Sequence, residues 1–390
     1  MKINSVVFVS NYFNHHQKYL SDSFYELLGD GYVFIETIPM EAERISLGWK
    51  RYDEKYIVRA FDNVDEKKKA IKLINDADVV IIGSADDDYI ASRMKSNKLI
   101  FRYSERPFKN GIELFKYPGR LIKYHLENPR KKPIYLLCSS AYTSSDYSKV
   151  FLFKNRVFKW GYFPLAVAYD IDKLIEKKSN TIVWCGRLIP CKHFEETLYA
   201  FKRLTDSGFD AQLCVIGDGY EKEKYVNKVK EFFLNPKVVF LGSVNSSEVR
   251  QHMENASVFL FNSDYREGWG AVVNEAMNSG CAIIASHAAG SVPYLIQDGV
   301  NGFIYKSKNI NELYTKLALL FENKRLREAL GKEAYKTIID FWSPIKAAKS
   351  FISLSECILS GNNPNALFKI GPCSPSPNLK NGWYKSNDKI

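Results

Sequence analysis

The chain of 390 residues is poor in the features that staple, thread or anchor a protein. Its seven cysteines, Cys138, Cys185, Cys191, Cys214, Cys281, Cys357 and Cys373, are odd in number and scattered, with no CxxC pair. That spacing excludes a disulfide framework and fits buried thiols in a reducing compartment, so a cytoplasmic location is expected. No apolar run reaches the length of about 18 residues that a membrane-crossing helix needs. The start, MKINSVVFVSNYFNHHQ, has one early lysine and turns polar after a single strand-length run, unlike a cleavable secretory leader. Neither the 22 glycines nor the 14 prolines recur with a period, which excludes a fibrous repeat. The six histidines form no closed set with metal-ligand spacing, so no metal site is expected.

What the chain has in quantity is apolar and basic. Hydrophobic residues make up 46% and aromatics 14%, which excludes disorder throughout. Lys plus Arg at 55 against Asp plus Glu at 44 leaves a net charge of +11, a surplus that attracts nucleic acid, anionic lipid or phosphorylated small molecules alike. At about 150 residues per domain the length predicts two to three domains with substantial cores.

Short apolar runs alternate with helix-length connections. INSVVFVS, YVFIETI, KYIVRAF, DVVIIGS, NKLIFRY and PIYLLCS read as strands of a first α/β layer with a mainly parallel sheet, over residues 1–165. The aromatic and proline-bearing stretch KWGYFPLAVAYDIDKLIEK marks the boundary. A second succession follows over 166–340: NTIVWCGRL, a helix over 192–206, AQLCVIGDG, KVVFLGSV, SVFLFNS, a helix from Ala271, AIIAS and GFIYK. Several of these strands end in Gly-rich or polar corners, and in an open parallel sheet such ends form a crevice. Residues 341–360 are expected as a helix crossing back to the first domain. Residues 361–390, rich in Pro, Gly, Asn and Ser without an apolar period, are expected as a flexible tail.

The chemistry converges in the second succession. Gly186, Arg187 and Lys192 follow the strand TIVWC; Gly217, Asp218 and Gly219 follow LCVI; REGWGAVVNEAM spans 266–277. Two cations near a strand end can neutralise a diphosphate, and nearby glycines let backbone donors approach it. The alternative is that both cations are exposed solubilising groups. Glu267 precedes Gly268, Trp269 and Gly270, and Glu275 follows on the next helix. This spacing presents two carboxylates to neighbouring hydroxyl groups, with glycine amides at the helix entrance as further donors. A plain reading makes both carboxylates solvated charges.

These motifs resemble those of the large family four of retaining glycosyltransferases, whose members have the type B (GT-B) α/β architecture of two facing Rossmann-like domains with an interdomain cleft. The likeness covers about residues 160–340 and includes AxxxxGxVPYLIQDGxNGFIY over 285–305. The resemblance implies that Arg187 and Lys192 bind the donor diphosphate. It also implies that Glu267 contacts donor-sugar hydroxyls, Glu275 binds the nucleotide ribose, and Gly217–Gly219 lie beside the nucleotide. It further implies a sugar transfer from a UDP-sugar or GDP-sugar with retention at the anomeric carbon, with no obligatory metal or other cofactor, to a glycan or lipid-linked acceptor in cell-surface polysaccharide or glycoconjugate synthesis.

The first half departs from the family pattern. NYFNHHQ stands where many members have a Gly-rich loop, leaving His16, with Asn14, His15 and Gln17, as candidates to line the cleft. Family members also carry a histidine where FRYSERPFKNG offers only Glu105, read either as an acceptor-orienting group or base, or as a partner of Arg102 or Arg106. Between 106 and 132, Lys109, Lys116, Arg120, Lys123, His125, Arg130, Lys131 and Lys132 interleave with Phe108, Phe115, Tyr117 and Tyr124. Such a segment suits an anionic membrane surface and peripheral association, or is an ordinary basic surface over core aromatics. No nucleic-acid module accompanies the charge, so nucleic acid is not expected as a partner. Other functions compatible with the residues are a sugar epimerase or phosphorylase of the same architecture, or a non-catalytic glycan- or lipid-binding protein.

Overall fold

The computed structural model describes residues 1–46 and 49–385. The chain divides into two units: Met1–Leu165 with Phe341–Leu379, and Ala166–Asp340 with the described residues from Lys380 onward.

The first unit is built on seven strands, β1 Val6–Ser10, β2 Tyr32–Glu36, β3 Ile57–Arg59, β4 Val79–Ile82, β5 Leu99–Ser104, β6 Ile134–Cys138 and β7 Val157–Lys159. They form one sheet in the order β3-β2-β1-β4-β5-β6-β7 with every pairing parallel. VVFVS in β1 and VVII in β4 are buried at every position, as expected of strands covered on both faces. The order reverses between β1 and β4, which opens the sheet at the carboxyl ends of those strands.

The second unit has six strands, β8 Ser179–Cys185, β9 Gln212–Ile216, β10 Val238–Gly242, β11 Ala256–Phe261, β12 Ala282–Ser286 and β13 Phe303–Tyr305. Their order is β10-β9-β8-β11-β12-β13, again all parallel. Here the reversal falls between β8 and β11, so the loops leaving those two strands share one edge of the sheet. A core including Trp184, Phe194, Val215, Leu260 and Tyr305 backs that edge.

The C-terminal segments return to the first unit. Helix Pro344–Leu359 belongs to the first unit, where Phe351 packs on Phe24, Phe101 and Trp160 at ring separations of 5.5, 4.8 and 5.8 Å. The next stretch is not a loose tail. Cys373 and Ser374 are fully buried, and the backbone there pairs with β7: Lys159 N–H donates to Ser374 O at 2.8 Å and Cys373 N–H to Lys159 O at 2.8 Å. Phe158 and Pro375 form an antiparallel bridge. An edge strand needs its free backbone groups covered, and this segment covers them without any apolar periodicity of its own. Farther on, Tyr384 anchors in the second unit, its hydroxyl donating to Ile304 O at 2.7 Å. Residues 386–390 of the expected tail lie outside the described residues. Among the described residues no helix is long and apolar enough to cross a membrane.

Candidate functional site

In the second unit the candidate residues gather at the carboxyl ends of β8, β9 and β11. Gly217 sits at φ 124°, where a Cβ would stand 2.0 Å from Gly186 O, so only glycine lets the two strand ends close on each other. Two glycine amides join strand ends and a third is held locally. Gly186 N–H donates to Ile216 O at 2.9 Å, Gly217 N–H to Gly242 O at 2.8 Å, and Gly219 N–H to the Asp218 carboxylate at 2.8 Å. These bonds shape the crevice at the strand ends. Asp218 is exposed and held by Lys222 at 2.7 Å, which keeps its carboxyl below the usual range.

Two cations stand near the same strand ends. Arg187 is exposed and has no carboxylate partner among the described residues. Lys192, farther along the same loop, is mostly buried, lies over the Phe261 ring at 5.7 Å, and its ammonium is ion-paired with Glu267. Ser263 donates its hydroxyl to the same Glu267 carboxylate at 3.1 Å. The two residues expected to hold the diphosphate and the sugar thus meet each other, with side chains only 15% and 17% exposed. A pair this sheltered is screened little by salt, and each partner keeps the other's orientation when no ligand is bound.

Gly268 is buried, and Trp269 is 1% exposed with its indole N–H donating to Asn274 at 2.8 Å. The tryptophan side chain pins the loop to the helix Val272–Asn278. Gly270, at φ 89°, passes so close to Phe261 that a Cβ would lie 2.3 Å from the ring. Glu275 projects from that helix, half-buried, with no hydrogen bond to its carboxyl among the described residues. Burial pushes the group up to about 7 from 4.5, and the charge of Arg250 offsets only part of that. An ionisable acceptor without a partner is what a ribose diol would satisfy.

A clasp that the motif reading missed ties the β8 and β11 loops together. Asp264 N–H donates to Cys191 O at 3.0 Å, and the Asp264 carboxylate takes His193 Nε2 at 3.0 Å and the Arg266 guanidinium at 2.6 Å. His193 holds φ 46°, a left-handed conformation that these contacts maintain. Behind it Glu196 accepts from Tyr305 at 2.6 Å, and Asn262 bridges Thr197 and Tyr305 at 2.6 and 2.8 Å. The polar run NSD directly after the fully buried strand SVFLF was the available signal.

In the first unit His16 lies in the first turn of helix His15–Leu28, whose N-cap Asn14 accepts from His16 N–H at 2.9 Å. Glu36, which the motif reading also missed, fixes the preceding loop by accepting from Phe13 N–H at 2.8 Å. The His16 ring packs among His15, Trp49 and Tyr162 at 4.0, 5.8 and 5.1 Å. Burial, then the charges of His15 and Arg44, push it down to about 3, so it stays neutral at physiological pH. Glu105 pairs with neither arginine: Arg102 binds Asp87 and Arg106 binds Asp146. Instead Glu105 accepts from Tyr162 at 2.7 Å, and burial keeps that phenol protonated as the donor. His16 and Glu105 therefore flank one tyrosine, a juxtaposition that no local motif encodes.

Residues 169–337 match the family of glycosyl transferases group 1. The sulfoquinovosyl transferase SQD2 of Arabidopsis thaliana is 33% identical over 162 residues, 41% of this chain and 30% of that protein. The capsular polysaccharide biosynthesis glycosyltransferase CapM of Staphylococcus aureus is 29% identical over 177 residues, 43% of this chain and 45% of that one. The chain thus spans about a third to a half of the length of these curated relatives. The crystal structure of Anabaena Alr3699/HepE in complex with UDP superimposes with a TM-score of 0.66 at 13% identity, over 91% of this chain and 100% of that one. The two Rossmann-like parallel-sheet units are consistent with the GT-B architecture. The matched segment is glycosyltransferase-like and contains every donor-side candidate from Gly186 to Glu275.

Proposed function

We propose that the protein is a retaining glycosyltransferase that moves a sugar from a nucleoside diphosphate sugar to a glycan or lipid-linked acceptor in cell-surface polysaccharide or glycoconjugate synthesis. The observation that carries this reading is the free Arg187 beside the Lys192–Glu267 pair and the unpartnered Glu275, all at the sheet reversal of the second unit. The UDP in the Anabaena structure favours a UDP-sugar over a GDP-sugar as donor.

In the reaction, the acceptor oxygen bonds to the anomeric carbon as the bond from that carbon to the diphosphate oxygen breaks. The electron pair stays with the diphosphate, and the acceptor proton passes to a phosphate oxygen on the same face. Arg187 and Lys192 stabilise the charge that grows on the leaving group. Glu267, released in part from Lys192, accepts from a sugar hydroxyl, and Glu275 accepts from the ribose. Same-face attack requires no covalent nucleophile, so both carboxylates act by positioning. Glu105, held by Tyr162, and the neutral His16 serve as hydrogen-bonding groups for the acceptor. His16, at about 3, is too weak a base to carry the proton.

A lipid-linked acceptor fits the helix Tyr117–Glu127. Its inner residues Tyr117, Leu121 and Tyr124 pack on the core, while Ile122 and Leu126 are 62% and 74% exposed beside Lys116 and Lys123. The preceding Phe115 is fully exposed. This face suits peripheral contact with an anionic membrane on the cytoplasmic side. Incubation with a panel of nucleoside diphosphate sugars, reading diphosphate release and product configuration by NMR, tests the reading. Inversion at the anomeric carbon, phosphate-dependent donor formation or free-sugar isomerisation would each defeat it.

A further inference from the structure

We propose that the first unit holds a second carbohydrate site, a cavity for an acidic oligosaccharide, at the end of its sheet opposite to Glu105. The cavity has a volume of about 750 Å³ and is bounded by Ile134 and Val157, the first residues of β6 and β7. Glu105 follows the last residue of the parallel β5, so the two places lie at opposite strand ends. The inference stands on this cavity alone and does not need the donor site.

Three observations specify the ligand. The first is charge: Arg130, Lys154 and Arg156 line the cavity, no Asp or Glu does, and none of the three has a carboxylate partner among the described residues. Arg156 is preset, donating to Lys132 O at 2.7 Å while its guanidinium lies 5.6 Å from the Tyr135 ring centre. A fixed guanidinium with free donors favours a planar carboxylate. The second is strain. Phe151, Phe153 and Asn155, none of them glycine, take φ values of 58°, 56° and 61° within five residues. Arg130 donates to Phe151 O at 3.0 Å and Asn365 to Asn155 O at 3.2 Å, so cavity-lining groups themselves hold the strained loop. Strain kept in this way concentrates at ligand sites.

The third is the mixture of surfaces. The strained backbone leaves the Phe151 ring 66% exposed at the rim while Leu152 and Phe153 turn into the core. An exposed ring face matches the C–H face of a sugar, and the Asn155 and Asn378 amides and the Ser144 hydroxyl offer partners to sugar hydroxyls. A single phosphate would use the cations and leave the ring and amides idle. A chain of uronate-type sugars uses all three.

Calorimetric titration of the full chain with hexagalacturonate, neutral maltohexaose and inorganic phosphate tests the proposal. Hexagalacturonate should bind at least about tenfold more tightly than the other two and lose affinity as salt is raised. Arg130→Glu combined with Lys154→Glu should weaken it about tenfold or more while nucleoside diphosphate binding stays unchanged. Phe151→Gly relieves the left-handed strain, so it should fold at least as well and still weaken hexagalacturonate. Equal affinity for maltohexaose or phosphate would overturn the proposal, as would hexagalacturonate binding that is indifferent to the charge reversals.

Discussion

The two units share a sheet plan and differ in how their functional groups are delivered. In the second unit Arg187, Lys192, Glu267 and Glu275 come from loops and a short helix that directly follow β8 and β11, neighbours at the sheet reversal. Their charges are used: Lys192 is paired with Glu267, and the exposed Arg187 leaves the same strand end. In the first unit His16, Glu105 and Tyr162 come from three separate segments, and their link is a neutral ring, a phenol and one carboxylate. The difference teaches that the candidate donor site of the proposed reaction is ionic and local in the chain. The candidate acceptor residues are joined instead by contacts between distant segments.

Four experiments bear on that contrast, in descending order of expected effect. Removing both cations, Arg187→Ala with Lys192→Ala, should lower kcat/KM about a hundredfold or more, since each charged hydrogen bond contributes about 1.5–3 kcal/mol. A comparable loss from Glu105→Gln, measured in the same steady-state assay, would break the contrast.

Glu275 comes next. Its folded pKa, about 7, is above the ordinary 4.5, so the protein is most stable where the group is protonated and loses stability as pH rises from about 4.5 through 7. By the linkage relation the loss is at most about 3 kcal/mol. Glu275→Gln should therefore melt higher than the wild type at pH 8 and equally at pH 4. Binding a nucleoside diphosphate should release a proton from wild type near pH 7 and not from Glu275→Gln, seen as a buffer-dependent binding enthalpy. A heat that is the same in every buffer would remove Glu275 from the ribose site.

Gly270→Ala tests whether the donor loop depends on its glycine. The new methyl meets the Phe261 ring in a left-handed conformation, and destabilisation of about 1–3 kcal/mol is expected in a denaturant melt. The smallest effect belongs to Tyr162→Phe. Loss of one hydrogen bond to Glu105, about 0.5–1.5 kcal/mol, should raise acceptor KM severalfold and leave donor affinity alone. A change in donor affinity instead would mean that the tyrosine serves the nucleotide.

Much of the fold was legible in advance because strands buried on both faces announce themselves as unbroken apolar runs. All six runs read in the second succession became β8–β13, and the six read in the first became β1–β6. The short edge strand β7, with VFK alone, was not visible in that way, and neither was the segment that covers it. The candidate donor residues were legible because they stand at fixed offsets from strand ends. The direction of the Trp269 indole was not legible, because a motif shows proximity to a site without showing which way a side chain turns.

The sequence by itself therefore determined the two α/β layers, their strands and the chemistry grouped behind β8, β9 and β11, all of which depend on spacing along the chain. Only the tertiary structure decided that Lys192 rests on Glu267, that His16 is neutral, that Glu105 answers to Tyr162 rather than to an arginine, and that residues 371–376 close an edge. The physical reason is common to all four. Ion pairing, desolvation and backbone satisfaction depend on which surfaces meet, and groups far apart in sequence meet only when the chain has folded.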